Sequence, residues 1–152
     1  MHNDPFAIRP ALPADLDAVS DLLEAQLREH DIPIARADLE FAVDGVLRVP
    51  DRGFILCAEH DGAMVGVSNV SFIWRVEHGG AVAWLDDLYV RPGLRNAGVG
   101  RALLAATLDH ARQAGCVAVE LEVEASHADA ERLYQRFGFE PLSRRRWLHA
   151  LR

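Results

Sequence analysis

The residues Arg95-Asn96-Ala97-Gly98-Val99-Gly100-Arg101 have the types and spacing to hold an anion. They follow a β-rich Leu88-Tyr89-Val90 run and open a strongly apolar helical stretch. A helix start presents about four backbone N–H groups with no internal partner, and the helix dipole adds partial positive charge there. Glycine lets another group approach the backbone and permits positive φ. Together these suit phosphate oxygens, and Arg95 and Arg101 add full charges. The same residues also suit a tight strand-to-helix turn whose glycines serve packing alone. Other chemistries fit less well. The chain has no lysine, since all 16 basic residues are arginine. That removes a Walker-type phosphate loop and a lysine Schiff base. A dinucleotide fingerprint needs G-x-G-x-x-G after a first parallel strand, whereas the glycines here are Gly93, Gly98 and Gly100. The 7 histidines show no ligand spacing, so no metal is expected. Cys57 and Cys116 sit in apolar runs and read as buried free thiols.

The elements that must position this turn are legible from periodicity. Phe6 to Arg9 reads as a first strand. Pro13 opens a helix in which Leu16, Val19, Leu23 and Leu27 recur at three- and four-residue steps. Residues 35–48 read as a second, shorter helix. Two β-rich runs flank Asp61-Gly62, a strong hairpin signal because a type I′ turn needs positive φ at both central residues. Gly79-Gly80 marks another turn before a long strand, 81–90, and strands two to four form an antiparallel meander. On a regular strand Trp84, Asp86, Leu88 and Val90 share one face, and Leu85, Asp87 and Tyr89 the other. Val99, Leu103, Leu104, Leu108 and Ala111 form the apolar stripe of the next helix, with Gly115 at its C-terminus. Residues 116–123 alternate as a fifth strand, which lies parallel to the fourth because a full helix separates them. A last helix spans 127–137, with Leu133, Tyr134 and Phe137 on its apolar side. The tail "GFEPLSRRRWLHAL" supplies one or two closing strands. The expected class is α+β.

At 152 residues the chain fits one domain, 1–152. A net charge of -7 disfavours nucleic acid and mildly favours a cationic substrate. No apolar run approaches ~18 residues, so no membrane partner is expected. The N-terminal "MHNDPFAIRP" does not read as a signal peptide, which makes the cytoplasm the default location.

"LYVRPGLRNAGVGRALL", residues 88–104, resembles the acetyl-CoA signature of the GNAT superfamily of N-acetyltransferases, R/Q-x-x-G-x-G/A, with Arg95, Gly98 and Gly100 in its defined positions. "IRPALPADLDAV" and "AERLYQRFGFEP" are similar to further superfamily segments at the expected distances, and the element order matches. "AWLDDLYVRP" is similar to the polyamine/diamine-acetyltransferase-like branch. The resemblance implies a mixed, mostly antiparallel sheet of six to seven strands with helices on both faces and with parallel strands 4 and 5 splayed apart. It implies acetyl-CoA as cosubstrate. The backbone of Leu88 and Val90 would bond the pantetheine arm, and the backbone of Arg95, Asn96, Ala97, Gly98, Val99, Gly100 and Arg101 would cradle the pyrophosphate.

The resemblance also assigns chemistry. Tyr134 would protonate the departing sulfur, since a phenol keeps its proton at neutral pH. Asp86, shorter than the family's usual Glu, would take the amine proton directly or through water; Asp87, Glu120 and Glu122 are its rivals. His127 stands where the family usually has an arm-binding Asn, and it can instead cap its helix or face water. No cysteine suggests an acyl-enzyme, so transfer would be direct, in a ternary complex. The expected acceptor is a small primary amine, polyamine-like or amino-acid-like, with a protein amine second. A non-catalytic acyl-CoA-binding or sensor domain is the alternative from another class. A homodimer through the last strands is permitted.

Overall fold

The structure, a computed structural model, describes residues 5–124 and 126–152. Residues 1–4, part of the stretch read for a leader, lie outside them. The chain divides into two units, Met1–Glu122 and Val123–Arg152.

In the first unit β1 (Ala7–Pro10) precedes α1 (Leu16–Glu29) and α2 (Arg36–Arg48). Then come β2 (Gly53–His60), β3 (Ala63–Arg75), β4 (Gly80–Val90), α3 (Val99–Gln113) and β5 (Ala118–Leu121). The sheet order is β1-β2-β3-β4-β5, antiparallel except for the parallel β4–β5 step. Asp61 and Gly62 take φ of 50° and 77°, as the hairpin signal requires.

The segment "IRPALPADLDAV" is explained by one arginine. Arg9 on β1 donates to Asp15 at 2.8 and 2.9 Å and to Glu59 of β2 at 2.7 Å. Asp15 in turn accepts from the Leu12 N–H at 2.7 Å. These donors hold the Asp15 carboxyl down to about 2. The first strand is thereby tied to the entry of α1.

Two apolar layers cover opposite faces of the sheet. Val19, Leu22 and Leu23 of α1 and Leu39 and Val43 of α2 pack on Ile55, Cys57, Val67 and Tyr89. The strand residues that alternate with these face α3. A Cβ added at Gly66 would lie 2.9 Å from Leu103 Cδ1 and 3.2 Å from the Tyr89 carbonyl oxygen. A side chain there would crowd Leu103, Val99 and the Tyr89 carbonyl, so the glycine eases the close approach of α3 to β3. Ser68 and Thr107, both fully buried, bond each other at 2.7 Å, so the approach leaves their hydroxyls partnered. Leu103 and Leu104 are wholly buried, and each such side chain contributes about 1.5–3 kcal/mol. The helix mouth is therefore held in a fixed place.

In the second unit α4 (Ala128–Arg136) ends at Gly138, whose φ is 86°. The N–H of Phe139 bonds back to the Tyr134 carbonyl at 3.1 Å. Two expectations need correction. The tail after α4 forms no strand among the described residues, so the sheet has five strands rather than six to seven. Leu142, Trp147, Leu148 and Leu151 keep no constant two-residue step, so no single strand face could bury them, and all are exposed. β5 is also shorter than 116–123. Val117 is exposed and pairing stops at Leu121.

Candidate active site

The centre of the site is a break in β4. Asn69 pairs with Asp87 but the next residue, Val70, pairs with Leu85, which leaves Asp86 as an extra, bulged residue. The bulge shifts the strand's phase. The regular alternation, which puts Asp86 with Leu88 and opposite Asp87, is overturned. Asp86 and Asp87 line the same cavity, on the α1/α2 side of the sheet. That cavity measures about 390 Å³. Its walls are aliphatic side chains of α1, α2 and β2, from Leu23 to Ile55, and its polar end holds Asn69, Ser71, Asp86 and Asp87.

The polar end is internally bonded. Ser71 Oγ donates to Asp86 Oδ2, and Asn69 Nδ2 donates to Asp87 Oδ2 at 2.9 Å. Burial, helped by the adjacent Asp86 charge, pushes the Asp87 carboxyl above its ordinary range; the Asn69 bond and His30 pull it partly back. A raised carboxyl in the folded state favours folding below its unfolded pKa and loses that contribution as pH rises through the folded one. An Asp87→Asn variant keeps the acceptor for Asn69 and sheds the buried charge. It should melt higher than the wild type near neutrality, by on the order of 1 kcal/mol or roughly 2–4 °C. The difference should vanish on acidification, as calorimetric scans against pH would read. Of the other acids, Glu120 lies 2.6 Å from His78 Nε2 and 3.8 Å from Arg75, and neither Glu120 nor Glu122 lines the cavity. Asn69 and Ser71 were not singled out in the sequence; the available signal was the polar run Ser68, Asn69 and Ser71 in the middle of a mostly apolar strand.

Beyond the bulge β4 continues to Val90, while β5 has already ended opposite Leu85. Strand 4 therefore runs past the end of β5, so Asp87–Val90 have no β5 ladder partner, as a splay requires. Leu88 and Val90 fall on the α3 side. The turn that follows brings residues 95–101 together. Asn96 and Gly98 take φ of 64° and 89°, and no side chain caps α3. A Cβ at Gly98 would meet nothing nearer than Phe6 Cζ at 3.8 Å, and one at Gly100 nothing nearer than Val90 Cγ2 at 3.8 Å. Asn96, Ala97, Gly98 and Arg101 are exposed, Gly100 is half-buried, and Val99 is packed inside. The first N–H groups of α3 are thus uncapped, which fits a diphosphate. Arg95 is used differently from a free charge. Its Nε donates to the Val90 carbonyl at 2.9 Å and its Nη2 to Glu29 at 2.7 and 3.0 Å. The guanidinium also lies 5.3 Å from the Tyr89 ring centroid. Arg95 therefore fastens the turn to β4 and to the end of α1.

Tyr134 and His127 belong to the second unit. Tyr134 packs edge-on against Phe139, with centroids 5.7 Å apart, and burial pushes its phenol up to about 12. His127 occupies the N-cap of α4, and its side chain does not cap the helix. Cys57 is buried, with its thiol pushed up to about 11 by burial, and Cys116 is half-buried; both are free. Among the described residues no helix is long and apolar enough to cross a membrane.

Comparison with known proteins places this arrangement. The model of the acetyltransferase (GNAT) family matches residues 16–139. An aminoglycoside N(6')-acetyltransferase type 1 of Stenotrophomonas maltophilia is 34% identical over 140 residues, covering 90% of this chain and 88% of its own. An aminoalkylphosphonate N-acetyltransferase of Salmonella typhimurium is 31% identical over 132 residues, covering 87% and 83%. The fold matches an aminoglycoside N-acetyltransferase solved in complex with CoA, with a TM-score of 0.81 at 21% identity over 96% of this chain and 95% of that one. The bulged fourth strand, the uncapped helix after it and these relatives agree: the chain belongs to the acetyltransferase (GNAT) family.

Proposed function

We propose that residues 1–152 act as a single acetyl-CoA-dependent N-acetyltransferase domain for a small primary amine. The observation that carries this reading is the juxtaposition on β4 of a carboxylate-ended cavity, a segment, Asp87–Val90, that runs past the end of β5, and an uncapped helix mouth. The relatives that acetylate an aminoglycoside and an aminoalkylphosphonate support an amine acceptor, and the CoA complex of a neighbour supports the cosubstrate.

Bound acetyl-CoA would supply the acetyl group as a thioester. The chain's own residues divide the remaining work. The N–H groups from Arg95 through Arg101 bind the diphosphate, and the free β4 segment at Leu88 and Val90 bonds the amide-rich arm as an added strand would. His127 is the second unit's candidate contact to that arm. Asp86 accepts a proton from the ammonium, whose pKa near 10 would otherwise keep it non-nucleophilic. Asp87, beside it and less acidic than usual, adds negative potential that draws the cation in. Tyr134 keeps its proton at neutral pH and gives it to sulfur as the carbon–sulfur bond breaks; the nitrogen, now bonded to the acetyl carbon, releases its surplus proton through solvent, which restores the phenol.

Thiol release from acetyl-CoA in the presence of an amine panel tests this reading. Amine-dependent release is the expected result. Coenzyme binding without release from any amine would replace it with a binding or sensor role.

A further inference from the structure

Resting on that reading, we propose that the acceptor is an amphipathic primary amine: one ammonium joined through a short chain to an aliphatic or aromatic body. The cavity has two unlike ends. Leu23, Leu27, Ala42, Val43, Val46 and Ile55 offer only hydrocarbon to an occupant. A hydroxyl or second ammonium placed against them would lose water and gain no partner. A polyhydroxylated amine or an extended polyamine is therefore disfavoured by the walls themselves, not merely left unrecognised.

The polar end asks for a cation with several donors. Asn69 is held with its NH2 toward the Asp87 carboxylate, because only the NH2 can donate there. Its Oδ1 is consequently turned elsewhere, and it is buried with no hydrogen-bond partner among the described residues. Such an orphan acceptor is costly unless a ligand fills it. An ammonium carries three donors, and Asn69, Asp86 and Asp87 all line the polar end of the cavity. Size agrees as well. A dry cavity of roughly 150 Å³ holds benzene, so about 390 Å³ holds a phenyl ring, a short linker and the ammonium.

The test compares 2-phenylethylamine, spermidine and kanamycin as acceptors in the thiol-release assay, with coenzyme binding followed separately by melting temperature. The expected result is a kcat/KM for 2-phenylethylamine roughly tenfold or more above both others. Ala42 is exposed on the cavity wall, so Ala42→Trp should fold, fill the apolar end and raise KM for 2-phenylethylamine about tenfold or more. Its coenzyme-induced melting shift should stay at the wild-type value. Val46→Asn serves as a second variant, with the same expectation from a polar group in the wall. A higher kcat/KM for kanamycin or spermidine than for 2-phenylethylamine would overturn the inference and leave acetyl transfer standing. Release from no amine would overturn both.

Discussion

Asp86→Asn lowers kcat by about 10²–10⁴ near neutral pH, the range for loss of a positioned base. The defect shrinks as pH rises, because the amine then sheds its proton to solvent without help. The bulge explains why this position, and not its neighbours, should matter. An extra residue in β4 turns Asp86 to the cavity side, where Ser71 fixes its carboxylate. Glu120, the rival on β5, is already engaged by His78 and Arg75. A kcat–pH profile of the variant parallel to the wild type would remove Asp86 from the base role and pass it to Asp87.

Tyr134→Phe lowers kcat by about 10², with KM for the coenzyme unchanged. The ring that packs on Phe139 is kept and only the hydroxyl goes, so stability should stay within about 0.5 kcal/mol. Burial pushes the phenol up to about 12; the wild-type group therefore remains a proton donor across the working range. A thiol's pKa lies near 8.5, which is why the expected loss sits at the lower end of general-acid effects. Unchanged turnover would make Tyr134 a packing residue alone.

Much of this site could be read from residue order. The glycines at 98 and 100, the apolar stripe after them and the acidic pair before them each obey a local rule. Positive φ, helical period and hairpin chemistry are properties of a few neighbouring residues, so short windows reveal them. The bulge at Asp86 was legible only in part. Period-two alternation assumes equal steps on both strands, and it put Asp86 and Asp87 on opposite faces. The extra step is set by β3 pairing across the sheet, with Asn69 and Val70 as its partners. The Glu29–Arg95 pair joins residues 66 apart, so no local window shows that Arg95 is a tether rather than a free charge. The tail misled for the opposite reason. "GFEPLSRRRWLHAL" promises one or two closing strands, yet its adjacent Trp147 and Leu148 break the alternation a strand face needs. The cavity walls come from α1, α2 and β2, successive elements that only tertiary packing brings together, and each looks like ordinary core by itself.

The central claim is that the uncapped mouth of α3 grips the coenzyme's diphosphate. Melting curves with saturating coenzyme A, for the wild type and for Gly98→Val, test it most directly. Ligand at a hundredfold excess over Kd adds about 2.7 kcal/mol of stability, which for a chain of this size is a rise of roughly 5–10 °C. The account predicts that rise in the wild type and its loss in Gly98→Val, where a β-branched residue cannot hold a φ of 89°. A wild-type melting temperature unmoved by the coenzyme, or a full shift retained in the valine variant, would contradict it.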